Sequence, residues 1–465
     1  MQNNFLQLFK IPETRNRIWY TLLLLLVFRL GHQIPIPGMS PEFLSRQQDQ
    51  GALFGLMSAF SGGALGQSTL FALGIMPYIS ASIIFSMLSK ISPTFEAIQK
   101  EGAAGQKKIN QYTRLATIPI AIVQALFVYT GVFLANSGEM VAPSMRSHTG
   151  MLGVVVIMSL LAGAVACMWL GELITEIGVG NGSSLIIMAG IVARIPHGLS
   201  LLQGENFWQT ILFLIAIYLV TVLCVVFIHK GTRRVPIQHA KLIRGRSVYG
   251  GQRHFLPLKI NMAGVMPIVF ASVIFIVPAI IFQWLGWADL RTIFSTPTGF
   301  VHITLYASLI FFFCFFWNRL MFQPTEIADN LREQGAFVPG LRPGKTTADY
   351  LSNVLTRITL AGAAFLTIIA LAPSFVTSGT AVPQEMRYFL GGTSILIVVA
   401  VALELVDRLN AQLVMRNYDG FMKQSGPNWA QMKDAQTPQK PYRRDEDPKL
   451  NQGDESLPEG EGAKT

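Results

Sequence analysis

Charge is scarce in this chain. Asp, Glu, Lys and Arg make up 13% of its 465 residues and hydrophobic residues 51%, a balance that excludes an ordinary soluble domain and points to repeated passage through a membrane. Cysteine is nearly absent: Cys167, Cys224 and Cys314 fall in separate apolar stretches, which excludes a disulfide framework and predicts three small core residues. The seven histidines have no paired spacing, so neither a metal site nor a cofactor is expected. The apolar stretches carry no HExxH, no Ser/His/Asp or Cys/His arrangement and no paired carboxylates, so enzymatic chemistry and a proton relay are not expected. A small-residue cleavage pattern is also missing after the first hydrophobic run, which predicts a retained span in place of a removed signal peptide.

What is present is a set of ten apolar segments, near 18–36, 69–88, 115–135, 151–170, 182–195, 207–228, 263–285, 303–322, 358–375 and 389–409. A span needs about 20 apolar residues and must satisfy its own backbone, so all ten are expected to be membrane helices. Alternate connections differ in charge. One set carries Lys10, Arg15 and Arg17, then Lys90 to Arg114, then the 229–260 cluster, then Arg332 to Arg357. The other set holds single basic residues. The positive-inside rule then puts both termini in the cytoplasm, which agrees with an even number of spans.

An eleven-residue stretch occurs twice. Gly74-Ile-Met-Pro-Tyr-Ile-Ser-Ala-Ser-Ile-Ile84 returns as Gly264-Val-Met-Pro-Ile-Val-Phe-Ala-Ser-Val-Ile274. Two related halves with a working site at their seam are expected, and the prolines are expected to bend the second and seventh spans by removing a helical hydrogen bond. Between the first two spans, residues 52–65 are apolar, too short to cross and interrupted by Gly62 and Gly63. They are expected either to dip into the membrane as a half-helix or to rest on its surface. Arg29 lies inside the first apolar run, where an arginine signals either function, a structural pairing or snorkelling. Glu172, Glu176, Glu404 and Asp407 are expected at hydrated helix ends.

Residues 229–260 contain eight Lys and Arg and no acidic residue. Their Val, Ile, Tyr and Gly content fits an extended hairpin, and the charge suits either an anionic partner such as ribosomal RNA or anionic lipid. In the loop 323–357, two Pro-Gly turns flank Arg342 and predict a rigid projecting tip. Its Gly344-Lys345-Thr346 is not a P-loop, since the earlier glycine position is Pro339. After residue 409 the composition turns polar, and disorder is expected from about Gln431.

Several motifs in order resemble those of the SecY family, the channel subunits of bacterial secretion translocases. They are Phe60-Ser-Gly-Gly-Ala-Leu65, Phe71 through Ile84, Lys100-Glu-Gly, Gln111-Tyr-Thr-Arg114, Gly178-Val-Gly-Asn-Gly182, Leu256 through Gly264, Ala328-Asp-Asn-Leu331 and Gly335 through Gly344. The resemblance covers about residues 10–420. It implies an all-α membrane protein of ten transmembrane helices, in two pseudo-symmetric inverted five-helix halves that form a clamshell around an hourglass pore. The implied division is 1–200, 201–410 and a cytoplasmic tail 411–465.

By the same resemblance, Ile79, Ile83, Ser183, Ile187, Val269 and Ile397 match the ring at the narrowest point, with Ser183 departing from its apolar pattern. Leu53, Phe54, Leu56, Met57, Phe60, Gly62 and Gly63 match the plug half-helix. Pro77, Ser82, Ser86, Asn261, Pro267, Ser272 and Val277 match a lateral gate between the second and seventh spans. Arg233, Arg234, Lys241, Arg244, Arg246 and Arg342 match the docking surface for motor and ribosome, although Ser247 stands where some relatives have another arginine. The resemblance further implies a bacterial plasma-membrane location. Its implied partners are SecE, SecG, the SecA motor ATPase, the ribosome, secretory preproteins with signal sequences, membrane-insertion clients, anionic lipids, SecDF and a YidC-type insertase. A secondary transporter also uses inverted repeats, but the spans hold few polar groups to coordinate a solute.

Overall fold

The computed structural model describes residues 12–38, 69–130, 149–193, 195–200, 207–239, 241–244, 247–250, 253–261, 264–285, 287, 290, 293–294, 299–378 and 391–425. The chain divides into two units, 1–409 and 410–465. The first unit begins with α1 (Pro12–Gly31), α2 (Met76–Ile91), α3 (Pro93–Lys100) and α4 (Ala103–Val128). Next come α5 (Thr149–Ile177), α6 (Gly182–Val192), α7 (Ile195–Ser200) and α8 (Phe207–Lys230). Four strands follow, β1 (Thr232–His239), β2 (Lys241–Arg244), β3 (Ser247–Gly250) and β4 (Arg253–Lys259). The chain continues through α9 (Met266–Trp284), α10 (Phe300–Met321), α11 (Pro324–Glu333), β5 (Ala336–Phe337) and α12 (Lys345–Ser378). The last element is α13 (Gly392–Ser425).

Each of the ten expected apolar segments overlies a helix, and α4, α5, α8, α10 and α12 are by themselves long and apolar enough to cross a membrane. The burial pattern identifies the surrounding medium. On α1 the buried positions are Thr14, Thr21, Leu24, Phe28 and Gly31, spaced as one helical stripe. Its opposite face exposes Trp19, Leu22, Leu23, Leu26 and Leu30. A water-facing helix would be polar there, so this outer face is built for hydrocarbon. Association inside such a medium relies on close backbone approach. Ala81, Ala121, Ala125 and Ala271 accordingly have no exposed surface.

Helix ends depart from the hydropathy reading. The ninth span starts at Lys345, well before the apolar run, and the tenth runs to Ser425 through polar sequence. Helical hydrogen bonding tolerates polar residues once the helix has left the apolar layer, so hydropathy marks only the middle of each helix. Arg29 fits the snorkelling alternative. It lies in the last turn of α1 and is exposed, where a cation is favoured by the helix dipole and its side chain need not enter the interior. Cys167 and Cys314 are buried as expected, but Cys224 is exposed on the outer face of α8.

The two basic loops form a single small structure. β1 and β4 pair antiparallel from Thr232↔Lys259 to Gln238↔Arg253, which is the expected hairpin, and β2 pairs β3 beyond it. β5, from the other loop, adds to the free edge of β1 through Gln238↔Phe337 and His239↔Ala336. Val235, Leu258, Val338, Leu351 and Val354 share one core beneath this sheet. Strand alternation puts Arg234 and Pro236 on the open face while Val235 and Ile237 point inward, and Arg233, of the inward parity, is also exposed near the start of the strand.

Candidate functional site

The repeat places the same device at the start of two helices. Gly74 and Gly264 both have positive φ, 54° and 64°, a backbone state that side chains other than glycine adopt only with strain. Each turn is followed two residues later by a helix whose second residue is proline, Pro77 in α2 and Pro267 in α9. The amide of Ile79 donates to the Ile75 carbonyl and that of Val269 to the equivalent Val265 carbonyl, at 3.1 and 3.2 Å. The expected proline bend is therefore corrected. A proline in the first turn removes an amide that has no helical partner anyway, so it starts these helices instead of kinking them. Proline lies inside helices elsewhere, at Pro119, Pro278 and Pro373.

Five of the six residues matched to the ring are buried in the main apolar core, which also holds many residues from the other helices. Ile79 and Ile83 of α2, Ile187 of α6, Val269 of α9 and Ile397 of α13 belong to one continuous apolar cluster, each 9% exposed or less. Ser183 is half-buried and polar. Its hydroxyl donates to Asn181 Oδ1 at 2.7 Å and its amide to the same oxygen at 3.1 Å, so the side chain completes the N-terminal cap of α6.

The motif Gly178-Val-Gly-Asn-Gly182 is what aims α6 into the cluster. Thr21 Oγ1 of α1 accepts from the Val179 amide at 3.0 Å, and Thr175 Oγ1 accepts from the Gly182 amide at 2.9 Å. A Cβ on Gly182 would lie 1.9 Å from the Gly171 carbonyl oxygen, so only glycine lets α6 start against α5. Ile187, one and a half turns further, is fixed by that contact.

The residues matched to the gate are distributed as follows. Pro77, Pro267 and Ser272 are buried, and Ser272 donates to the carbonyls of Ile268 and Val269. Ser86 is exposed and donates to the Ser82 carbonyl at 2.6 Å. Asn261 Nδ2 donates to the Gly264 carbonyl at 2.9 Å, bracing the left-handed turn, and Val277 lies on α9. The residues matched to the plug, Leu53, Phe54, Leu56, Met57, Phe60, Gly62 and Gly63, lie outside the described residues, as do Arg246 and the tail after Ser425.

On the sheet, Arg233 and Arg234 are exposed, Lys241 and Arg244 stand at the two ends of β2, and Arg342 is exposed on the turn after β5. That turn is held by the Leu341 amide on the Val338 carbonyl and by Thr347 Oγ1 on the Arg342 carbonyl. Since β5 pairs with β1, Arg342 and the arginine pair belong to one small sheet structure, a link that two loops about a hundred residues apart do not reveal in sequence. Another missed element is the ion pair of Arg114 Nε with Glu172 Oε1 at 2.6 Å, which joins α4 to α5. Glu172 is 14% exposed, so the expectation of a hydrated carboxylate is corrected for this residue.

The SecY family model matches residues 69–406. A protein translocase subunit SecY of Streptomyces coelicolor is 43% identical over 450 residues, covering 91% of this chain and all of the relative. A solved SecY structure, described through the role of its plug domain in stabilising the closed translocation channel, superimposes with TM-score 0.57 at 19% identity, covering 88% of this chain and 96% of that one. Sec61 in a canine ribosome–channel complex from the endoplasmic reticulum gives TM-score 0.55 at 17% identity over the same shares.

Proposed function

Because the chain belongs to the SecY family, we propose that it forms the central subunit of a protein-conducting channel, which moves unfolded secretory polypeptides across a membrane and releases apolar segments sideways into lipid. The observation that supports this most is that Ile79, Ile83, Ile187, Val269 and Ile397, from four helices spread along the chain, are all buried members of the main apolar core. An aliphatic constriction excludes water and so holds back ions by dewetting. Such side chains make no specific hydrogen bonds, so they yield to an extended polypeptide whatever its sequence. Two halves, 1–200 and 201–410, move apart to admit it, with α2 and α9 as the lips of the lateral gate. A client segment of about 20 apolar residues leaves between the lips because its burial in lipid is favourable. Residues 53–64 serve as the plug.

The chain is a multi-pass membrane protein and a channel subunit; the energy is supplied by a partner, either the SecA motor or the translating ribosome. Both dock on the basic sheet, where the exposed Arg233, Arg234 and Arg342 offer cations to acidic protein side chains or RNA phosphates. SecE and SecG complete the channel in a bacterial plasma membrane, with both termini cytoplasmic. Proteoliposomes holding this chain with SecE and SecG, supplied with SecA and ATP, are expected to bring a secretory precursor into a protease-protected state. Ion-gradient-driven solute uptake without precursor import would instead indicate a secondary transporter.

A further inference from the structure

The segment that leads into α9 meets α10 and α12 at a small cavity, lined by Ile260, Asn261, Cys314, Asn318, Thr359 and Gly362 among others. The packing around it is close: a Cβ on Gly362 would lie 2.8 Å from the Ile260 carbonyl oxygen. Asn318 Nδ2 donates to Thr359 Oγ1, and that hydroxyl donates to the Leu355 carbonyl at 2.7 Å. Asn318 Oδ1 is buried and, among the described residues, has no hydrogen-bond partner in the chain. An amide oxygen confined this way is costly unless something donates to it. The cavity has space on the order of a single water molecule, and its wall carries polar side chains from three separate segments.

We propose that this cavity is a binding site for one ordered water molecule that donates to Asn318 Oδ1 and bridges it to Asn261. Asn318 is thereby a positioning residue for the hinge at Gly264. Asn261 already holds the Gly264 carbonyl, and among the described residues no atom lies where a Cβ on Gly264 would meet it, so the turn has room to rotate once that hold is loosened. The water ties that turn to α10 and α12 and sets the closed position of the seventh span. This inference rests on the reading of α9 as a lip of the lateral gate.

The test exploits a difference in what one substitution cuts. Asn318→Leu removes the Nδ2 bond to Thr359 in either case, a link between α10 and α12 alone; without a water it also removes an unpartnered buried acceptor and leaves the turn at Gly264 as it was, whereas with a bridging water it also cuts the tie to Asn261 and loosens the hinge. In the reconstituted complex, Asn318→Leu is expected to raise transport of a precursor with one charged residue in its signal segment roughly five-fold. Transport of the normal precursor should stay within about two-fold, and Asn318→Ser, whose hydroxyl still holds the water, should behave like the parent. X-ray radiolytic labelling reads the water directly: Cys314, buried beside the cavity, should be labelled quickly in the parent and slowly in Asn318→Leu. Slow labelling in the parent, or lower transport of the defective precursor in Asn318→Leu, overturns the proposal. Lost labelling with transport unmoved keeps the water, overturns the hinge role and counts against the lateral-gate reading itself.

Discussion

Glutamate in place of Ile397 or Ile79 is expected to raise the resting ion conductance of the reconstituted channel roughly ten-fold or more in planar-bilayer recordings. Both side chains are buried in the shared cluster, and Ile397 is only 3% exposed. A carboxylate there costs about 3 kcal/mol if it stays dry at the membrane centre, and it lowers that cost by drawing water in. Hydration of the constriction is what a dewetting seal cannot survive. The same change should relax client selection, since part of the work of opening has been done. Conductance equal to the parent's in both variants would remove these residues from the seal. Ser183 offers an internal contrast: its hydroxyl is already engaged by Asn181, so Ser183→Ala should leave the resting conductance near that of the parent.

Reversing Arg342 to glutamate is expected to lower motor-driven transport at least ten-fold, about 1.4 kcal/mol of lost coupling, while the amount of inserted channel stays the same. The side chain is exposed, and the turn beneath it is held by main-chain contacts and by Thr347, so the substitution should not unfold its support. Quantitative immunodetection of the membrane-embedded chain alongside precursor import separates the two effects. A basic surface that served only membrane orientation would show the opposite pattern, altered insertion with normal transport per inserted channel. Because β5 joins β1, reversals at Arg342 and at Arg233 should weaken binding of the same motor.

The membrane helices were legible because hydrocarbon imposes long apolar runs, and the repeat at Gly74 and Gly264 was legible because a left-handed turn admits little besides glycine. The role of Pro77 and Pro267 was misread for a definite reason. Hydropathy finds where a helix is apolar but not where its first turn begins, and a proline two residues from that start has the opposite effect from one at its centre. Pairings between distant segments left no local trace. Arg114 and Glu172 lie 58 residues apart, and β1 and β5 meet through a two-residue strand too short to have a pattern. Asn318 lies in an aromatic run, and only the fold places Thr359 and Asn261 at the same cavity. For Arg29 the apolar run, which continues past the end of the helix at Gly31, leaves three alternatives open, and the place in the last turn favours snorkelling.

The central claim is that a polypeptide in transit passes between Ile79, Ile83, Ile187 and Ile397. A photoreactive amino acid at each of these positions, with a secretory chain stalled midway, tests it most directly. Crosslinks to the stalled chain are expected from all four and from none of the outward-facing controls Leu212, Leu223 and Phe227 on α8. Crosslinks confined to the α8 controls, with the four central positions silent, would contradict the account.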